Sequence, residues 1–239
     1  MKYEITKGNP IIENVPTIGH LIYDDLGNEV MDKLNEEFKG TDIELKGFRN
    51  NQSISFSNVP RILKINNILR DITNNEIKVF SPEDAVRYLN KIPEVGKIYA
   101  DTDSIAIYPN QGSNENLRKK VLNLIGKQKI KIPLIVSGLD IEKADNEYGF
   151  TFKETDYMKF TEAPFLTKNG SIIYNSKENK LEASLNEEGI KVWTRNDQEG
   201  LARLFLYSDS DLGACNDDLC SSDGGGRVVI KSAPGNEKN

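Results

Sequence analysis

The chain has 239 residues, 31 Lys and Arg against 37 Asp and Glu, and a formal charge of −6 at pH 7. That length is one large domain or two small ones, long enough to bury a core without a metal or disulfide staple. One histidine and two cysteines cannot build a four-ligand Cys/His zinc site, and the acidic balance is the wrong field for a general nucleic-acid binder.

No apolar run approaches the ~18 residues of a membrane span, and the polar start Met1–Lys7 carries no secretion signal. The expectation is a soluble, cytoplasmic protein with no membrane partner. In such a compartment Cys215 and Cys220 read as reduced thiols rather than a disulfide. No Gly-x-Ser-x-Gly elbow is present, so a nucleophile–histidine pair would depend on His20 alone.

In chain order, Ile18, Ile22, Leu26, Val30, Leu34 and Phe38 recur every four residues. A helix repeats every 3.6, so this stripe drifts by ~40° per step, and one straight helix cannot keep all six on one face. The pattern predicts a break at Asp25-Leu26-Gly27-Asn28, a helix from about Asn28 to Phe38, and Gly40 as its stop. If the preceding segment is helical, His20 lies opposite Ile18, Leu21 and Ile22, at the surface. Ser53–Ser57 alternates like a half-exposed strand. Ser81-Pro82-Glu83-Asp84 combines a cap, an N1 proline and first-turn acids, predicting a helix that ends before Pro93.

Lys97–Tyr108 is strand-like, Pro109–Gly112 a loop, and Ser113 the cap of a helix carrying Leu117, Val121, Leu124 and Ile125, closed by Gly126. Ile132–Val136 is apolar on both faces, as in a sheet interior. Strand, helix and buried strand predict a β-α-β unit, parallel and right-handed. Beyond it, Tyr148–Phe152, Ile172–Tyr174 and Ile190–Trp193 predict antiparallel strands, with Asn169-Gly170 as a tight hairpin turn. Asn196 and Glu199 predict a helix start leading through Leu201, Leu204 and Phe205. Trp193, with Tyr148, Phe150, Phe152 and Tyr157, reads as core. Arg227–Ile230 predicts a last strand. The fold class is therefore α+β (mixed α/β), with a β-α-β core in the first half and largely antiparallel hairpins in the second. The expected organisation is one domain over 1–239, or two packed lobes at 1–140 and 141–232, with a flexible tail at 232–239.

The segment Ile98-Tyr99-Ala100-Asp101-Thr102-Asp103-Ser104-Ile105-Ala106-Ile107 resembles the metal-binding palm motif of family B DNA polymerases, an Asp-Thr-Asp-Ser turn between apolar strands. The resemblance implies that Asp101 and Asp103 hold divalent ions that activate an attacking hydroxyl. It covers about ten residues of 239, and the family's Ser-Leu-Tyr-Pro and Lys-x-x-x-Asn-Ser-x-Tyr-Gly motifs are absent. Independently of the family, residues two apart on a strand share a face, which sets the two carboxylates ~6–7 Å apart. That spacing suits Mg²⁺ or Mn²⁺ given a third oxygen ligand; the plainer alternative is a solvated turn.

The acidic stretch Asp209, Asp211, Asn216, Asp217, Asp218 and Asp223 within Ser208–Gly226 is a weaker metal candidate. It lacks the spacing of a calcium loop and reads more simply as a solvated loop. Asn110-Gln111-Gly112-Ser113 heads a helix where phosphate could bind, although Glu115 opposes an anion there. Arg118-Lys119-Lys120 reads as a solvated helix face, not a nucleic-acid contact. Two functions follow. The first is a non-enzymatic module binding a partner protein or small ligand, with an exposed sheet edge as one route. The second is a divalent-metal-dependent enzyme acting on a phosphate ester or nucleotide through Asp101 and Asp103. Catalytic residues and oligomeric state stay open.

Overall fold

A computed structural model describes residues 16–22, 24–45, 48–49, 53–54, 58–88, 97, 99–126, 131–207, 209–221 and 226–232. The first helix, α1 (Asp25–Phe38), starts one turn earlier than the drift argument predicts. Asp24 caps it by accepting from the Gly27 N–H at 2.9 Å, and Leu26, Val30, Leu34 and Phe38 are buried. The expected break exists, but it lies before Asp24. Gly27 lies inside the helix, at a position only glycine fits: a Cβ there would sit 1.9 Å from the Ile22 carbonyl oxygen. Ile18 belongs instead to strand β1 (Ile18–His20).

The central helix is α2 (Val59–Ile72), which the periodicity reading above does not identify. Asn58 caps it through Arg61 N–H, and Pro60 occupies its first turn, where a missing N–H costs nothing. Two faces of α2 are apolar. Ile62, Ile65 and Leu69 pack with α1, β4 (Ile77–Val79) and β15 (Val229–Ser232), whereas Val59 and Leu63 pack toward the large sheet. The short helix α3 (Pro82–Tyr88) matches its predicted start.

β1, β15 and β4 form a three-stranded sheet in the order β1-β15-β4. The large sheet has eight strands in the order β11-β10-β12-β14-β13-β5-β6-β9. Its members are β5 (Ala100–Ile107), β6 (Leu134–Ser137), β9 (Lys159–Glu162), β10 (Gly170–Asn175), β11 (Lys180–Ala183), β12 (Ile190–Thr194), β13 (Leu201–Leu206) and β14 (Leu212–Ala214). All of its pairings are antiparallel except β12 with β14. A separate hairpin pairs β7 (Asp140–Lys143) with β8 (Phe150–Lys153), and β2 (Phe48–Arg49) pairs with β3 (Ser53–Ile54). One face of the large sheet carries Ile105, Ile107, Val136 and Leu201 against α2 and α4 (Glu115–Ile125); the other carries Ala106, Tyr108, Ala202 and Leu204. The α+β class and the mostly antiparallel second half are as the sequence predicts.

Three local expectations are corrected. Strand, helix and strand do follow one another as β5-α4-β6, but β5 and β6 are antiparallel, with Ile107 opposite Leu134. α4 is about 16 Å long. The eight residues from Gly126 to Pro133 can extend ~26 Å, so the chain can return to the end of β5 that it left. The predicted helix through Leu201, Leu204 and Phe205 is strand β13, buried on both faces. The Asn169-Gly170 pair is not a hairpin turn: a 3-10 turn (Pro164–Thr167) precedes it, and β10 begins at Gly170. Ser55–Ser57 and the tail beyond Ser232 lie outside the described residues. No helix among the described residues is long and apolar enough to cross a membrane.

Candidate functional site

Asp101 and Asp103 are two residues apart on β5, where the register against β13 slips: Arg203 is opposite Ile105 and Phe205 opposite Asp101. They do different work there. Asp101 receives two hydrogen bonds from Arg203 of β13, Nε to Oδ1 at 3.0 Å and Nη2 to Oδ2 at 2.8 Å, with both side chains within 2% of full burial. The guanidinium also lies 5.5 Å from the Tyr99 ring and 5.6 Å from the Phe205 ring. Burial alone would lower the pKa of Arg203; the adjacent carboxylate more than offsets this and raises it. The charge in the otherwise apolar run Leu201-Ala202-Arg203-Leu204-Phe205-Leu206 was the available sequence signal, because a cation buried in a strand requires a partner.

Among the described residues no such cation bonds to Asp103. Its Oδ1 accepts from Ser104 Oγ at 2.8 Å, and its N–H donates to the Phe80 carbonyl. Burial, reinforced by the charge of Glu83, pushes its carboxyl up to about 7, against the opposing pull of the Ser104 hydroxyl. Among the described residues no group of three or more His, Cys, Asp or Glu side chains is placed to hold a metal ion.

The acidic stretch after β13 is divided by strand β14. Asp211 accepts from Trp193 Nε1 at 2.9 Å, Asp209 lies exposed in a turn, and Asp217 and Asp218 sit beyond the strand. Asp223 is outside the described residues. Trp193 is 42% exposed, not core. His20 is half-buried in β1, and burial, then the charge of Arg227, lowers its pKa. Arg118 is buried rather than solvated: its Nε and Nη2 donate to the carbonyls of Tyr108 and Pro109, tying α4 to the end of β5. Cys215 and Cys220 are free thiols.

One concave feature is a cleft of about 610 Å³ at the head of α4. Four short segments meet around it. They are Gly40–Asp42 after α1, Ser113 and Asn114 before α4, Asn146–Gly149 in the β7–β8 turn, and Asp217–Cys220 after β14. Asn114 holds this junction. Its buried Nδ2 donates to the carbonyls of Leu201 and Asp217, both at 3.0 Å, and its Oδ1 accepts from Leu201 N–H at 2.8 Å. The helix is therefore not capped by Ser113, whose hydroxyl donates to Asp217 Oδ2 at 2.9 Å. The same carboxylate receives Arg195 Nη1 at 3.0 Å. Burial works against ionised Asp217, but these two donors hold its pKa below the usual carboxylate value.

On the opposite wall, Asn146 Oδ1 accepts from Tyr148 N–H, and the Tyr148 hydroxyl donates to the Ser113 carbonyl at 3.1 Å. Gly149, at φ +73°, closes that turn in a conformation that favours glycine. Asp218 accepts from the N–H groups of Cys220 and Ser221. Burial, then the charges of Asp218 and Asp42, push the Cys220 thiol up to about 11, so it stays protonated at neutral pH. Among the described residues the lining contains the carboxylates of Asp42, Glu147, Asp217 and Asp218 and no Lys, Arg or His. Such a surface repels phosphate, so the helix-head phosphate reading finds no support.

The chain matches no family profile, no curated protein and no solved structure.

Proposed function

We propose that this chain is a non-enzymatic binding module that takes a small, positively charged ligand, such as a primary or secondary amine, in the cleft at the head of α4. The observation that carries the reading is the charge of the lining: among its described residues there are four carboxylates, of which Asp217 is already paired with Arg195, and no basic side chain. Hydroxyl and amide groups of Ser113, Asn146 and Tyr148 are at hand to orient a polar ligand. The non-enzymatic part is supported by the cleft's chemistry, since its thiol is held protonated and no histidine or lysine stands among the described lining residues. The metal-dependent alternative draws less support, because Asp101 would have to leave Arg203 to ligate an ion. Two unpaired thiols suit a reducing, cytoplasmic setting, which belongs to the same proposal.

The test is a titration with small amines and, in parallel, small carboxylates and phosphates, followed by backbone amide NMR. Amines are expected to shift Ser113, Tyr148 and Cys220 saturably, and the anions to leave them unmoved. Asp42→Asn with Glu147→Gln should weaken the amine by about tenfold. Saturable binding of the anions there, or no saturable amine shift at millimolar concentration, would refute the reading.

A further inference from the structure

The large sheet ends at β11, and among the described residues no strand lies beyond it. The backbone geometry of that edge follows from its pairing with β10. Ile173 is opposite Glu182 and Asn175 opposite Lys180, and one step further Ser184 N–H donates to the Ser171 carbonyl at 2.8 Å. Hydrogen-bonded and non-hydrogen-bonded pairs alternate along an antiparallel ladder. The backbone groups of Lys180, Glu182 and Ser184 therefore point to β10, and those of Leu181 and Ala183 point outward. Their side chains alternate the other way. Leu181 is buried in the core, whereas Lys180 and Glu182 stand on the outer face beside the exposed Ile173.

We infer that β11 is a self-association edge, at which a second copy of this chain pairs antiparallel about a two-fold axis through Leu181. The charges select this occupant and this register. With Leu181 on the axis, its outward N–H and C=O meet those of Leu181 in the second copy. Lys180 then falls directly opposite Glu182, and Glu182 opposite Lys180, in the close non-hydrogen-bonded positions. An axis through Glu182 would instead set two glutamates face to face, which is unfavourable. Within one copy Lys180 already reaches Glu182, at 3.1 Å, and Glu178, so its ammonium is held where the second copy's carboxylate arrives.

The opposite edge of the sheet lacks this property. Ala163 N–H donates to the Pro133 carbonyl, so Phe160 and Glu162 are the outward residues of β9. An axis through Phe160 pairs Lys159 with Thr161, and one through Glu162 pairs Thr161 with Ala163. Neither makes an ion pair. An isologous contact of this kind closes as a dimer and does not propagate. Exposed apolar groups flank β11: Leu185, 96% exposed just past its end, and Ile173 beside Glu182 on β10.

The experiment is sedimentation equilibrium on the whole chain across the micromolar to millimolar range, at low and high salt, with circular dichroism confirming that each variant is folded. The wild type should be a monomer–dimer mixture that salt shifts toward monomer. Lys180→Glu and Glu182→Lys should each weaken the dimer by about tenfold, because two cross-strand pairs turn repulsive. The double swap K180E/E182K should restore it. A wild type that stays monomeric throughout, single swaps that dimerise like wild type, or a double swap that does not recover would each overturn the inference.

Discussion

Replacing Asp101 by Asn removes one charge from the pair with Arg203 and changes the shape of the site very little. The guanidinium then keeps its place at 2% exposure with its counter-charge gone. Breaking a buried, hydrogen-bonded ion pair by removing one partner costs about 3–5 kcal/mol, most of it the penalty of the charge left behind. In a chain of 239 residues that lowers the melting temperature by about 6–20 °C. Replacing both partners by apolar residues, Asp101→Leu with Arg203→Met, should recover most of the loss, since no buried charge remains. Urea unfolding of wild type, D101N and the D101L/R203M double variant, followed by circular dichroism, reads these differences as shifts of the midpoint. If D101N costs less than ~1 kcal/mol, or the double variant is no better than the single, Asp101 is not committed to Arg203. The case against its serving as a metal ligand would fall with that result.

Asp103 should make stability pH-dependent. Its carboxyl is raised from 3.8 to about 7 in the folded chain, so the folded state holds the proton longer than the unfolded one does. The stabilisation is then fully present below about pH 4 and is lost as pH rises through about 7, amounting to roughly 4 kcal/mol. Asp103→Asn should flatten this slope and be more stable than wild type at pH 8; parallel melting curves for the two proteins from pH 5 to 8 would count against it. Gly213→Ala should destabilise by about 1–3 kcal/mol. Its Cβ would lie 2.4 Å from the Phe205 ring, which is held between Tyr99 at 5.0 Å and Tyr207 at 4.7 Å. A loss below ~0.5 kcal/mol in denaturant unfolding would show that the ring can step aside.

Much of the element inventory is legible in local chemistry. Asp24 with the Leu26-Val30-Leu34-Phe38 stripe, and Ser81-Pro82-Glu83-Asp84, produce helices because caps and apolar spacing act within a turn or two of the chain. Alternation likewise marks Phe150–Lys153 and Ile190–Thr194 as strands. Helix α2 carried the same kind of signal in Asn58 and Pro60, but its two apolar faces blur the single stripe that periodicity seeks. Leu201, Leu204 and Phe205 show the converse failure. A strand covered on both faces is apolar at every step, so a helical spacing can always be picked from it.

The cleft was the least legible part. Asp42, Ser113, Tyr148 and Cys220 are far apart in the chain, and no spacing rule links them. Asn114 ties the head of α4 to Leu201 and Asp217, and the Tyr148 hydroxyl ties the β7–β8 turn to Ser113. Composition and local pattern decided that this chain would be an α+β fold with a strand carrying Asp101 and Asp103; that both acids are buried, and not in a solvated turn, is a result of packing. Which way β6 runs, which cation neutralises Asp101, and which side chains share a cleft were decided by packing. Those outcomes depend on contacts between residues from about thirty to about a hundred positions apart, whose free energy exists only once the sheet has formed.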